Sequence, residues 1–236
     1  MATCSVLMMS EGVSTQKVIG LVVAIVATDI VTTHLAPPGS GVYFKIAILA
    51  AYVAWARFSA SLSWDDMGMS KETVKSGFVV GLLAVVVIGA VIAVLVAIPG
   101  TRSYFDNQQI ASGSTTNHFL EPLLVIPLGT VVFEETIFRG VLLGSLLKLG
   151  SKKQAIVFSS IVFGFWHVSP ALSNAHGGFV HSVVAVAGTV AITAVAGVLF
   201  ALLRLRSGSL VAPILAHIAT NSLAYVGALI ALQLTS

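Results

Sequence analysis

Long apolar stretches alternate with short polar ones along almost the whole chain. A helix needs roughly 20 apolar residues to cross about 30 Å of hydrocarbon. Seven stretches come close to this length, so we predict an all-α fold, a polytopic membrane helix bundle with about seven transmembrane helices. The predicted segments cover residues 19–35, 41–58, 78–98, 119–147, 154–168, 181–203 and 209–232.

Composition supports a membrane location and excludes several classes of protein. Of the 236 residues, 57% are hydrophobic and only 9% are charged, whereas a soluble domain carries about 25% charged residues. So few charges cannot cover the surface of a water-soluble protein, and they exclude disorder, coiled coils and nucleic-acid binding. Cys4 is the only cysteine, which excludes an intrachain disulfide and a cysteine-based metal site.

The lysine and arginine residues indicate the orientation in the membrane, because cytoplasmic connections carry an excess of them. Nine lie before segment one or in the connections after segments two, four and six, whereas only Arg102 lies in the alternate connections. The nine are Lys17, Arg57, Lys71, Lys75, Lys148, Lys152, Lys153, Arg204 and Arg206. We therefore predict that the N-terminus is cytoplasmic.

This topology divides the chain into a tail and one domain. Residues 1–16 are weakly polar and are predicted to form a short cytoplasmic tail, and residues 17–236 a single transmembrane domain. Within that domain, the connection 59–76 mixes Trp64 and two methionines with acidic and basic residues. Such a mixture is typical of a linker helix at the membrane interface.

Segment four carries three charges at positions where charges are costly. Glu134, Glu135 and Arg139 fall within six residues, and each would cost about 2.5–3.5 kcal/mol near the bilayer centre on insertion scales. Glu135 and Arg139 are four residues apart, so they share a helix face and can form an ion pair. Glu134 lies about 100° further round the helix and has no such partner in its own segment.

Three more polar residues are predicted to lie at a similar depth on other segments. His167 is in segment five, and His217 and Asn221 share one face of segment seven because they are four residues apart. A polar cavity inside the bundle is therefore expected. A carboxylate and an imidazole that face one water can activate it, and a second imidazole and an amide can donate hydrogen bonds to an oxyanion. These groups are those of a hydrolase that cleaves amide bonds.

These residues also form three motifs that resemble those of a known family. The stretches EETIFR (134–139), FGFWH (163–167) and HIATN (217–221) are similar to the EExxxR, FxxxH and HxxxN motifs of the CPBP family, also called Abi. This family comprises intramembrane proteases, and its eukaryotic branch is the type II CAAX prenyl endopeptidase. The resemblance covers about residues 120–225, and the catalytic core is predicted at about 119–232.

The resemblance implies a role for each residue of the motifs. Glu134 and His167 would activate the hydrolytic water, His217 and Asn221 would line the oxyanion site, and Glu135 and Arg139 would support them. It also implies a membrane protein or peptide as substrate and catalysis without a cofactor. The small size of the chain resembles the bacterial members, which indicates a bacterial plasma membrane.

Other interpretations of the same residues stay open at this point. A zinc ion bound by Glu134, His167 and His217 is chemically feasible. A non-proteolytic scaffold or regulator would use the same cavity without hydrolysis, and a small proton-coupled transporter would use Glu134 and Glu135 as proton carriers. Trp166 is predicted to be a packing residue.

Overall fold

A computed structural model describes residues 12–35, 41–105, 114–173, 175 and 178–235. All regular structure within these ranges is helical, which confirms the predicted all-α class. Of the predicted cytoplasmic tail, residues 1–11 lie outside the described residues. Helix α1 begins at Thr15, after a cap in which the Ser14 side chain accepts a hydrogen bond from the Lys17 amide.

Eight helices follow one another within the described ranges, and several contain π-helical turns. They are α1 (Thr15–Ile30, then Val31–Leu35 as a π-helix), α2 (Gly41–Ala54, then Trp55–Ser59 as a π-helix), α3 (Val74–Ala97, after the 3-10 turn Lys71–Thr73), α4 (115–149), α5 (Lys152–Trp166), α6 (Val168–Ser173), α7 (Phe179–Ser207) and α8 (211–235). A 3-10 helix, Pro99–Phe105, follows α3.

Five described helices are long and apolar enough to cross a membrane, judged by length and composition. They are Thr15–Thr33, Lys71–Ala97, Lys152–Ser173, Phe179–Ser207 and Val211–Leu234. The predicted count of about seven is therefore not confirmed. The second and fourth predicted segments are helical, as α2 and α4, but they are not among the five.

Helix α4 lies at the centre of the bundle, where every residue from 133 to 145 is buried. It consists of α-helical parts that alternate with two π-helical ones, Glu121–Val131 and Thr136–Leu142. The first contains Pro127, which has no amide hydrogen and so cannot donate an α-helical hydrogen bond. Short π-helical turns within α-helices occur frequently at functional sites. Glu134 and Glu135 lie in the short α-helical part between the two, and Arg139 lies in the second π-helical part.

Close packing of α5 against α7 brings the second motif next to α4. A Cβ atom at Gly164 would lie 2.8 Å from the carbonyl oxygen of Val190, and one at Gly197 would lie 3.1 Å from Ser160. Glycine at these two positions therefore allows the helix backbones to approach more closely than any other residue would permit. This contact fixes the end of α5, where Trp166 and His167 lie.

The connection between α2 and α3 differs from the predicted linker helix. Residues 61–70, which we call the clasp loop, form turns and no helix, so that prediction is wrong. Leu62 and Met67 are fully buried, and the backbone of the loop forms hydrogen bonds with distant helices. Arg204 donates from Nη2 to the carbonyl oxygens of Asp65 (2.9 Å) and Asp66 (3.2 Å). Because these long-range bonds satisfy the loop carbonyls, the loop does not need helical hydrogen bonds.

Candidate active site

The three charges of the EExxxR motif are all inside the bundle. Glu134, Glu135 and Arg139 expose 6%, 0% and 2% of their surface. Arg139 Nη1 lies 3.1 Å from Glu135 Oε1, so the ion pair predicted from their spacing is present. Arg139 also interacts electrostatically with Glu134, but the groups that directly contact the Glu134 carboxylate come from α5 and α8.

His217 connects the two carboxylates. It lies near the end of the α-helical part Val211–Ile218 of α8 and exposes 4% of its surface. Its Nδ1 is 2.8 Å from Glu135 Oε1, and its Nε2 is 3.9 Å from Glu134 Oε2. A carboxylate oxygen accepts, so Nδ1 donates to Glu135. The other ring nitrogen is thereby directed at Glu134.

The carboxylate of Glu134 has two different surroundings. Oε1 accepts a hydrogen bond of 3.1 Å from the indole nitrogen of Trp166. Oε2 is buried and accepts no hydrogen bond from any described residue. Trp166 is thus more than the packing residue that the sequence predicted, because its ring also carries a donor to the unpaired glutamate.

Aromatic rings hold the guanidinium and the imidazole of the site. The Arg139 Cζ lies 3.9 Å from the ring centre of Phe163 and 5.2 Å from that of Phe200. Phe200 also stacks on His217, with the ring centres 4.8 Å apart and the planes 23° apart. Phe163 is the first residue of the FxxxH motif, four residues before His167. The motif therefore indicated that Phe163 lies on the same helix face as His167. Phe200 is outside all three motifs, and nothing in the sequence identified it.

His167 and Asn221 are less directly connected to the carboxylates. His167 directly follows α5, its Nδ1 is 2.9 Å from the carbonyl oxygen of Phe163, and its ring packs edge-on against the Phe163 ring at 4.7 Å. Asn221, in the π-helical turn Ala219–Leu223, accepts from Thr220 Oγ1 at 3.4 Å. Among the described residues, no hydrogen bond joins either side chain to Glu134. Phe163 contacts both His167 and His217, so it links the two imidazoles.

Two further polar side chains bind to this region from the first two helices. Ser169, two residues after His167, donates to Asp29 Oδ2 of α1 at 2.5 Å. Lys45 of α2 donates from Nζ to the carbonyl oxygen of Gly129 at 2.7 Å and lies 5.8 Å from the ring centre of Phe133. Helices α1 and α2 therefore contribute to the surroundings of the site, although they carry none of the three motifs.

The geometry does not assemble the donor set that zinc would need. Zinc in enzymes takes three protein ligands, and no cluster of three or more histidine, cysteine or acidic residues is arranged to hold a metal ion within the described ranges. The alternative set was Glu134, His167 and His217, and of these His167 faces Phe163 instead of the carboxylates.

Comparison with known proteins gives one family. Residues 116–223 match the family model described as Type II CAAX prenyl endopeptidase Rce1-like. The match supports an assignment of the chain to the CPBP family of CAAX proteases. It confirms the resemblance that the three motifs predict, since all three motifs lie inside the matched region. Together with the five apolar helices, it supports an integral membrane protein. No curated protein and no solved structure matches the chain.

Proposed function

We propose that this CPBP protein is an intramembrane endopeptidase in which Glu134 activates water. The observation that carries the proposal is the pair of atoms Glu134 Oε2 and His217 Nε2, which face each other at 3.9 Å. Both side chains are buried, and Glu134 Oε2 accepts no hydrogen bond from a described residue. The proposed water would bridge the two atoms at ordinary hydrogen-bond distances of about 2.8 Å.

The proposed reaction begins with removal of a proton from that water by Glu134 Oε2. The water oxygen adds to the carbonyl carbon of the peptide bond, and the carbonyl oxygen becomes an oxyanion. When the C–N bond breaks, the proton passes from Glu134 to the departing amine. Each step conserves charge and requires no group beyond the carboxylate, the water and the substrate.

His217 is proposed to stabilise charge on the opposite side of the water. Glu135 holds its Nδ1–H at 2.8 Å, which fixes the ring as the acidic residue of a catalytic triad does. Its Nε2 can accept from the water when neutral and donate to the oxyanion when protonated. Following the family resemblance, we propose His167 as a second group that orients the water and Asn221 as a second oxyanion donor.

The substrate is proposed to be a membrane-associated protein or peptide. The carboxylates are buried in a bundle whose outer surface is apolar, with exposed side chains such as Val86 and Ile192. The substrate is therefore proposed to come from the surrounding lipid. The excess of lysine and arginine on one side supports a cytoplasmic N-terminus for this membrane protein.

The test compares protein and peptide termini by mass spectrometry in cells that produce the wild type or Glu134→Gln at equal abundance. Glu121→Gln is the matched control, because Glu121 is on the same helix but lies in its first π-helical part, away from the site. We expect new termini with the wild type and the control and none with Glu134→Gln. Identical profiles for all three proteins would contradict the peptidase. A phenotype that survived Glu134→Gln would then favour a scaffold.

A further inference from the structure

Trp166 is the last residue of α5, directly before the histidine of the FxxxH motif, and its ring packs against two other rings. It packs edge-on against Phe138, with the ring centres 5.6 Å apart. It also packs at a tilt against Phe133, with the ring centres 6.2 Å apart. These two phenylalanines precede and follow the pair of glutamates on α4. The indole is therefore fixed over the part of α4 from which Glu134 projects.

The indole nitrogen makes the carboxylate of Glu134 asymmetric. It donates to Oε1 at 3.1 Å, while Oε2 lies 3.9 Å from His217 Nε2. An indole N–H is a hydrogen-bond donor only. It can thus hold one oxygen of a carboxylate without competing with that carboxylate for the proton of a water.

We propose that Trp166 is a positioning residue that holds Glu134 through Oε1 and leaves Oε2 as the oxygen that accepts the proton. This inference rests on the proposed peptidase function. It adds a residue that none of the three motif patterns specifies, and it says which of the two carboxylate oxygens acts. Without the indole, the carboxylate can rotate about its last side-chain bond and turn Oε2 away from His217.

The first test uses Trp166→Phe, which keeps an aromatic ring and removes the donor. The matched control is Trp55→Phe, because Trp55 is a partly buried tryptophan of α2. We expect kcat of Trp166→Phe to fall about 10- to 100-fold, as for the loss of a hydrogen bond to a charged group, with KM changed by less than about twofold. A Trp166→Phe protein with the kcat of the control would overturn the proposal, and so would one in which only KM rises.

The second test needs no substrate. The chain has three tryptophans, so protein labelled with 15N at the indole nitrogen gives three N–H signals in lipid nanodiscs, and Trp166→Phe identifies one of them. We expect Glu134→Gln to shift the Trp166 signal, because a neutral amide is a weaker acceptor, and to leave the Trp55 and Trp64 signals in place. A Trp166 signal that does not respond to Glu134→Gln would show that the contact is absent.

The two tests separate this inference from the function on which it rests. If the wild type cleaves no peptide, the proposed function fails, and Trp166 loses its catalytic meaning even when its NMR signal responds to Glu134→Gln. If the wild type is active and Trp166→Phe is equally active, only the role of Trp166 is overturned. Loss of kcat together with the NMR response supports both.

Discussion

Two arginines are buried in this protein, and their partners differ in kind. Arg139 exposes 2% of its surface and pairs with the Glu135 carboxylate of its own helix. Arg204 exposes 5%, and its Nη2 donates to backbone carbonyls of the clasp loop, 138 and 139 residues away in the chain. A buried cation always needs acceptors. The comparison shows that a side chain one turn away or the backbone of a distant loop can supply them.

The two sites also differ in what surrounds the charge. Around Arg139, the rings of Phe163 and Phe200 cover the guanidinium. The Glu135 carboxylate that pairs with Arg139 also accepts a hydrogen bond from His217. Around Arg204, the loop backbone itself fits against the charge. A Cβ atom at Gly68 would lie 2.0 Å from Arg204 Nε, and Gly68 has a φ of +73° that favours glycine. The first charge belongs to the proposed active site, and the second binds a connection between helices.

The largest effect is expected from Glu135→Ala. This change leaves the Arg139 charge buried without its carboxylate, which costs about 3–5 kcal/mol. We expect the folded protein in detergent to unfold at a much lower temperature, as measured by thermal denaturation. Glu135→Ala combined with Arg139→Met removes both charges and should recover most of the loss. Equal stability of the single and double variants would show that the buried Arg139 charge does not depend on the Glu135 carboxylate.

A smaller effect is expected from Arg204→Ala, which removes two hydrogen bonds from a charged donor and should cost about 2–4 kcal/mol. Because those bonds hold the clasp loop, limited proteolysis should cut within residues 61–70 before it cuts elsewhere. Gly68→Ala should expose the same loop through a clash with the Arg204 side chain. The two changes remove one interface, so the double variant should be hardly worse than either single one. Strictly additive losses would contradict a shared contact.

The smallest effect is expected from acid, at the ion pair between Asp66 and Lys148, whose charged atoms are 2.8 Å apart. Burial raises the pKa of Asp66, but hydrogen bonds from Lys148 and Ser63 outweigh it and hold the pKa below its usual value. The folded state therefore binds this proton less readily than the unfolded chain. The pair stabilises the loop above about pH 4, and this stabilisation is lost as the pH falls through the lowered pKa.

Measurement of the same loop cleavage from pH 6 down to pH 3 checks this, with Asp66→Asn as the control. An exposed ion pair contributes less than about 1 kcal/mol, so cleavage should rise only severalfold in the wild type. Asp66→Asn should start from the higher value and lack this dependence on pH. A wild-type loop that becomes more resistant on acidification would contradict the sign of the effect.

Much of the site was predictable because helix periodicity is local. The i,i+4 spacing of Glu135 and Arg139 predicts their ion pair, and it leaves Glu134 free to find partners on other helices. The membrane made these residues visible, since charges in apolar segments are costly and few. The partners of Glu134 were not predictable in the same way. In the sequence, Trp166 is one apolar residue among others in α5, and Phe200 is one of many apolar residues in α7.

The count of membrane helices shows a second limit. Apolar length alone predicted about seven spans, whereas five described helices meet the criteria of length and composition. Helix α4 is central and carries the charged motif, and its π-helical parts change which residues share a face. The clasp loop was predicted as a helix because its composition is amphipathic. Its actual form depends on Arg204, which is about 140 residues further along the chain.

By itself, the sequence predicted the all-α class, the membrane location, the resemblance to the CPBP family and the six motif residues of the proposed chemistry. Those properties depend on composition and on spacing within single helices. Only the tertiary structure decided that His217 bridges the two glutamates, that Trp166 holds Glu134, and that a loop binds the second buried arginine. These contacts join residues that are 32 to 139 positions apart, and packing between helices, which no local pattern encodes, brings them together.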